Sequence, residues 1–401
     1  MSLDFAALYR REYGRLLASL IRVVGDFALA EDALQEAFAV AWTSWPDRGT
    51  PEEPAAWLLT TARHKAIDQI RRRERFRSQQ DEMIARLTQD VSAPAPHDRL
   101  RLIFTCCHPA LAPEAQVALT LRTVCGRRTE EIARAFLVPV PTLAQRLVRA
   151  QAKIKLAGIP FEVPEENELP ARLDAVLAVL YLVFNEGYTA SAGADLVRAD
   201  LCAEAIHLAR DLVELLPQAT EAEALLALLL LQDARRAART ATDGTLIPLD
   251  RQDRSKWNQE QIQEGRQRID RVLRAGPAGR YALQAAIAAV HANARQAADT
   301  DWPQIVALYR MLRDIQPSPV VELNHAVAVA MAEGPAAGLR LLENLHLPQY
   351  HLLPATRAEL LLRLGRHQEA AEAFRQALAL VTNDVERRHL ELRLAEAYGA
   401  A

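Results

Sequence analysis

Apolar residues return every three or four positions along almost the whole of this chain. Phe5, Leu8, Tyr9, Leu16, Leu20 and Val23 do so near the start; Ala371, Phe374 and Ala377 do so near the end. That is the period of the α-helix, and it predicts helices that each bury one stripe. The composition agrees: half the residues are hydrophobic, only 5% are aromatic, and Ala, Leu and Arg dominate. An all-α fold is expected. At 401 residues the chain exceeds what one core organises, so two to four domains are expected.

The net charge of −3 hides an asymmetry, since residues 1–158 carry a net +5 and the rest −8. The front is cationic where a helix is expected over PAAWLLTTARHKAIDQIRRRERFR, residues 54–77. Ala55, Leu58, Leu59, Ala62, Ala66 and Ile70 share one face of it; Trp57, Thr61, His64, Asp68, Arg71 and Arg75 fall opposite. Seven Lys or Arg residues against two acids between Arg63 and Arg77 suit the outer face to a polyanion. A helix dipole also favours cations at that end, so this stretch alone leaves both readings open. Before it, ALAEDALQEAFAVAW predicts a helix over about 28–43, its apolar side Leu29, Ala33, Leu34, Ala37, Val40 and Ala41. Glu31, Asp32, Gln35 and Glu36 are then expected outward. Pro46, Gly49, Pro51 and Pro54 predict a loop of about ten residues between the two.

Residues 76–96 lose periodicity and end SAPAPH, the text of a linker. Helices resume from His97 through Phe104 and from Pro113 to about Val124, with Gly126 as a stop. TEEIARAFL then opens as a capping box on Thr129, VPVP breaks the helix, and TLAQRLVRAQAKIKLA follows. Two short helices and a tight turn, the second bearing Arg146, Arg149, Lys153 and Lys155 with no acid, fit a helix-turn-helix. Ile132, Ala133, Phe136, Leu143 and Leu147 are its expected interior. Thr142, Gln145, Arg146, Arg149 and Lys153 face DNA in that plan.

Cys106, Cys107, Cys125 and Cys202 lack the spacing of a disulfide framework or a zinc site, and are expected as small buried residues of a cytoplasmic protein. No apolar run reaches membrane-span length. No clustered carboxylates or histidines mark a catalytic or metal site, so neither an enzyme nor a cofactor is expected.

The second half predicts further helices over 170–186, 196–216 and 220–240, then a polar interlude, ATDGTLIPLDRQDRSKWNQEQI. From about 281 three helix pairs recur: 281–296 with 302–315, 320–332 with 335–345, and 355–364 with 368–380, closed by a helix over 384–398. LLRLGRHQEAAEAFRQALAL, with Gly365 at its turn, resembles a tetratricopeptide repeat. Such pairs stack into a solenoid with a concave surface.

AEDALQEAFAVAW (30–42), PAAWLLTTARHKAIDQIRRRER (54–75) and TEEIARAFLVPVPTLAQRLVRAQAKI (129–154) together resemble the extracytoplasmic-function (ECF) sigma factors of bacterial RNA polymerase. The resemblance implies a region 2 over 1–77 that binds core polymerase and the −10 element, and a linker over 78–96. It implies a region 4 over 97–158 that binds the −35 element. Asp32, Gln35 and Glu36 would then meet the β′ clamp. Arg63, Lys65, Arg71, Arg72 and Arg75 would hold the −10 strand, while Thr142, Gln145, Arg146, Arg149 and Lys153 would read the −35 duplex. His64 departs from the family, which usually has Asn there.

Beyond region 4 the chain resembles the subgroup with a long tetratricopeptide-like extension, here a helical part over 159–280 and repeats over 281–401. FNEGYTAS (184–191), Asp243-Gly244 and QDRSKW (252–257) carry that likeness. Asp243, Gly244, Asp253, Arg254 and Trp257 are its candidate regulatory contacts, with a regulatory protein as partner; a local Asp253–Arg254 ion pair is the plainer reading. Glu186 and Tyr188 are expected at a helix end, not as catalytic groups. A rival reading keeps only the helix-turn-helix, as a regulator with a sensing solenoid that does not bind core polymerase.

Overall fold

The computed structural model describes residues 5–72, 98–136, 138–190 and 193–399. The chain divides into two compact units, Met1–Leu182 and Val183–Ala401. The linker and Arg75 lie outside the described residues.

The first unit holds α1 (Phe5–Val24), α2 (Phe27–Arg48), α3 (Pro54–Arg72), α4 (Asp98–Cys106), α5 (Pro113–Leu119), α6 (Thr129–Ala135) and α7 (Val140–Leu156). Gly25, at φ +70°, ends α1, and the Asp26 carboxylate caps α2 by accepting from Leu29 N at 3.0 Å. The expected loop is shorter than its prolines suggested. Pro46 sits inside the last turn of α2, where it forfeits a single helical hydrogen bond, and only 49–53 remain irregular. Leu58, Ala62, Ala66 and Ile70 of α3 are buried as expected.

Unexpectedly, α1 is shared by both halves of the unit. Tyr13, Leu16, Leu17 and Leu20 are fully buried, and Gly14 lies so close to the end of α5 that an added Cβ would stand 2.2 Å from Val124 O. The chain at that point, Thr120–Val124, makes a π turn. Arg22 pairs with the buried Asp98 at 3.0 Å, tying α1 to α4. Cys106 and Cys107 are buried against Thr123 and Thr120, and burial pushes the Cys107 thiol up to about 12.

α8 (Leu169–Tyr188) contains the boundary between the units. Beyond it stand α9 (Ala199–Leu215), α10 (Thr220–Asp233), α11 (Gln259–Ala275), α12 (Arg280–Asn293), α13 (Trp302–Ile315), α14 (Pro319–Glu333), α15 (Pro335–Leu342), α16 (Leu352–Arg363), α17 (His367–Leu380) and α18 (Asp384–Gly399). The three expected pairs are present as α12/α13, α14/α15 and α16/α17, with α18 closing the row. α10 is buried from Ala224 through Leu231, and Gly265 of α11 admits it closely: a Cβ there would meet Leu231 Cγ at 2.7 Å. The second unit also departs from an open solenoid, in which each repeat touches only its neighbours. Asn383, fully buried, donates to Ala190 O and Asp195 O at 3.1 and 3.0 Å, joining the last helix to the first loop.

Candidate polymerase and nucleic-acid interfaces

Asp32, Gln35 and Glu36 are exposed along one side of α2, and Glu36 borders the cationic α3. Lys65 of α3 stands 3.4 Å from Glu36, and Gln69 Nε2 donates to the same carboxylate at 2.9 Å. Lys65 is thus partly spent on α2. Arg63 is half-buried and Arg71 exposed. Arg72 ends the helix. His64 is exposed, whereas Trp57 packs edge-on against Trp45 at 5.3 Å.

In the second pair of helices the cap lies one residue earlier than expected. Arg128 O accepts from Ile132 N at 3.1 Å, and Arg128 N donates to Glu131 at 2.8 Å, so Arg128 and not Thr129 is the capping position. α7 begins at Val140, with Pro141 in its first turn where no amide partner is lost. Its interior is Leu143, Leu147, Ala150 and Ile154, against Ile132 and Ala133 of α6; Phe136 is half-buried. Thr142, Gln145, Arg149 and Lys153 are exposed on the outer face, and Arg146 is half-buried. Arg146, Arg149 and Lys153 form no ion pair among the described residues. That face can accept phosphate or base edges.

The two cationic helices, α3 and α7, belong to one compact unit, and a carboxylate expected at the surface joins α2 to α7. Glu31 is 8% exposed. Arg122 Nε donates to its Oε1 at 3.0 Å, Gln151 of α7 donates to its Oε2 at 2.7 Å, and Tyr13 and Gln35 each donate to Oε1 at 3.2 Å. Burial, then the Glu31 charge, hold the Tyr13 phenol well above its ordinary pKa, so it stays a donor. Arg122 reaches the site from the π turn, 5.9 Å above the Tyr13 ring. Lys155 and Asp26 add an exposed pair at 2.8 Å. The signal for Glu31 was available: Phe27, Glu31, Leu34 and Phe38 share one helical stripe.

In the second unit the two quoted texts converge. Arg235 donates to Tyr188 OH at 2.7 Å and lies 5.8 Å from the Trp257 ring; Arg239 lies 3.7 Å above Tyr188. The Asp253–Arg254 ion pair is absent. Asp253 caps a short turn by accepting from Ser255 N at 3.0 Å, while Arg254 donates to Ala294 O at 2.8 Å beyond the end of α12. Trp257 is buried. Asp243 and Gly244, at φ +82°, form a tight turn in which Thr245 N donates to Asp243 at 2.9 Å. Glu186 is paired with Arg198 at 2.8 Å, in keeping with a helix end. Among the described residues no His, Cys, Asp and Glu group could hold a metal, and no helix is long and apolar enough to cross a membrane.

Sigma-70 region 2 matches residues 8–76, Sigma-70 region 4 matches 101–154, and a family of unknown function, DUF6596, matches 172–273. An uncharacterized protein of Rhizobium meliloti (strain 1021) is 43% identical over 389 residues, covering 94% of this chain and 92% of its own. The ECF RNA polymerase sigma factor SigL of Mycobacterium tuberculosis is 31% identical over 153 residues, 37% of this chain and 86% of SigL. A tetratricopeptide domain of P58(IPK) aligns at 13% identity and a TM-score of 0.27, too low to bear on the fold. With both sigma regions in order, and 86% of SigL covered at 31% identity, the chain belongs to the ECF sigma factors of RNA polymerase.

Proposed function

We propose that α2 meets the polymerase core through Asp32, Gln35 and Glu36, that α3 holds the opened −10 strand, and that α7 reads the −35 duplex. Arg63, Lys65, Arg71, Arg72 and Arg75 supply phosphate neutralisation on the first; Thr142, Gln145, Arg146, Arg149 and Lys153 present the second. The observation that carries this is the outer face of α7, where Arg146, Arg149 and Lys153 form no ion pair among the described residues, opposite a face that buries Leu143, Leu147, Ala150 and Ile154. Promoter-directed transcription by core polymerase with the full chain tests it: Arg149→Ala should relax selection at one position of the −35 element, and undiminished selection would refute the assignment.

The docked pair of regions is a closed form. The two elements stand about 25 base pairs apart, about 85 Å of duplex. A compact unit of this length is only about 40 Å across. Both elements are therefore held only after the Glu31 cluster opens.

The extension regulates this step through its exposed Asp243-Gly244 turn and Asp253, with Arg254 and Trp257 fixing the loop's shape, and it receives a regulatory protein. Asp243→Lys should change promoter output at unchanged melting temperature; unchanged output would remove the turn from the regulatory surface.

A further inference from the structure

The second unit holds a cavity of about 310 Å³, a volume that suits a small organic molecule. Helices α14, α16, α17 and α18 wall it, and the loop that follows the Asp243-Gly244 turn lines one side with Leu246 and Pro248. Most of the surface is apolar, with Val327, Ala330, Leu360 and Phe374 among the contributors. The charged groups at the wall are largely spoken for. Glu359 accepts from both ends of the Arg393 guanidinium at 2.7 and 2.8 Å, and Glu386 stands 3.4 Å from His351. Arg363 is exposed, and no buried Lys or Arg faces the cavity. His389 differs from these: half-buried at the wall, it forms no hydrogen bond or ion pair among the described residues. Burial lowers its pKa, so at neutral pH the imidazole offers one free donor and one free acceptor.

We infer that this cavity is an effector site for a small uncharged molecule, with an apolar ring body and a hydroxyl that bonds to His389. An anion would find no buried cation, and a cation would find both carboxylates already engaged, so either charge would be desolvated without a partner. A hydroxyl instead satisfies an imidazole that would otherwise stay unpaired against an apolar ligand. The regulatory reading of the Asp243-Gly244 turn carries only the consequence for transcription, not the binding itself. Leu246 and Pro248 follow that turn directly, so an occupant packed against them links the turn to α14, α16 and α18.

The test titrates the full chain with β-naphthol, read by its fluorescence, beside naphthalene, which lacks the hydroxyl, and β-naphthalenesulfonate, which adds a charge. β-Naphthol should bind saturably at one site, about tenfold more tightly than either of the others. His389→Phe should erase the preference over naphthalene while naphthalene itself still binds. Ala355→Trp, which fills the cavity, should abolish binding of all three, and both variants should melt as the parent does. Should Ala355→Trp not fold, the lost preference in His389→Phe decides alone. No saturable binding of β-naphthol, or an unchanged preference in His389→Phe, would overturn the site. Saturable binding that leaves promoter-directed transcription by core polymerase unchanged would overturn its effector role and the regulatory reading of the turn, while the pocket would stand.

Discussion

Arg122 Nε meets Glu31 Oε1 at 3.0 Å, and these two residues belong to the two promoter-binding regions of one sigma factor. Their side chains are 14% and 11% exposed, so the pair is shielded from water and from salt. Arg122→Ala leaves a carboxylate facing its neutral donors alone. It should cost about 3 kcal/mol in urea unfolding of the first unit. Glu31→Gln in the same background should recover part of that loss, because it removes the stranded charge. A cost for Arg122→Ala no larger than for an exposed arginine such as Arg11 would contradict the role given to the pair.

On α7, loss of a side chain that reads a base should cost about 1–3 kcal/mol and relax preference at one position of the −35 element. Loss of a phosphate contact should weaken all sequences alike and lower the salt slope by about one. Exposed Arg149 is expected in the first class. Binding of −35 variants at two salt concentrations separates the two outcomes, and no change for either Arg146→Ala or Arg149→Ala would reject α7 as the reading helix.

The helical stripes were legible in the sequence because they depend on local spacing: Leu58, Ala62, Ala66 and Ile70 are buried as their period predicts. What was missed depends on partners far along the chain. Glu31 has the composition of a surface residue, and only Arg122 and Gln151, 91 and 120 residues away, make its burial tolerable. α11 was passed over because its buried face is only Ile262, Gly265, Ile269 and Val272 amid charged residues. Pro46 misled in the opposite sense, since proline in a last helical turn breaks one bond and not the helix. At the candidate sites, the helical period placed Asp32, Gln35, Glu36 and Arg149 on exposed faces, as observed, but it also placed Glu31 outward, which is buried, and Arg146 outward, which is half-buried.

In the second unit, burial, together with the nearby charges of Arg235 and Arg254, lowers the His291 pKa to about 4. Its unfolded value stays near 6.5, so between those limits the unfolded chain holds more protons. Stability should therefore be full above pH 6.5 and fall as pH drops toward 4, by about 2–3 kcal/mol. Unfolding of the parent and His291→Gln at pH 7 and pH 5 checks this. The variant should lose less on acidification, and equal losses would contradict the burial of a neutral imidazole.

The separation of the two regions is the quantity that decides the most. All four native cysteines are buried, so spin labels can be placed at Arg11→Cys on α1, where the native side chain is 74% exposed, and at Leu156→Cys on α7, where it is 87% exposed. Pulsed dipolar spectroscopy of the free chain should give one short distance. In the complex with core polymerase and a −35/−10 promoter it should lengthen by more than about 20 Å, as a duplex of about 85 Å demands of a unit about 40 Å across. The same short distance in the free chain and in the promoter complex would contradict the closed form and the role of Glu31 in holding it.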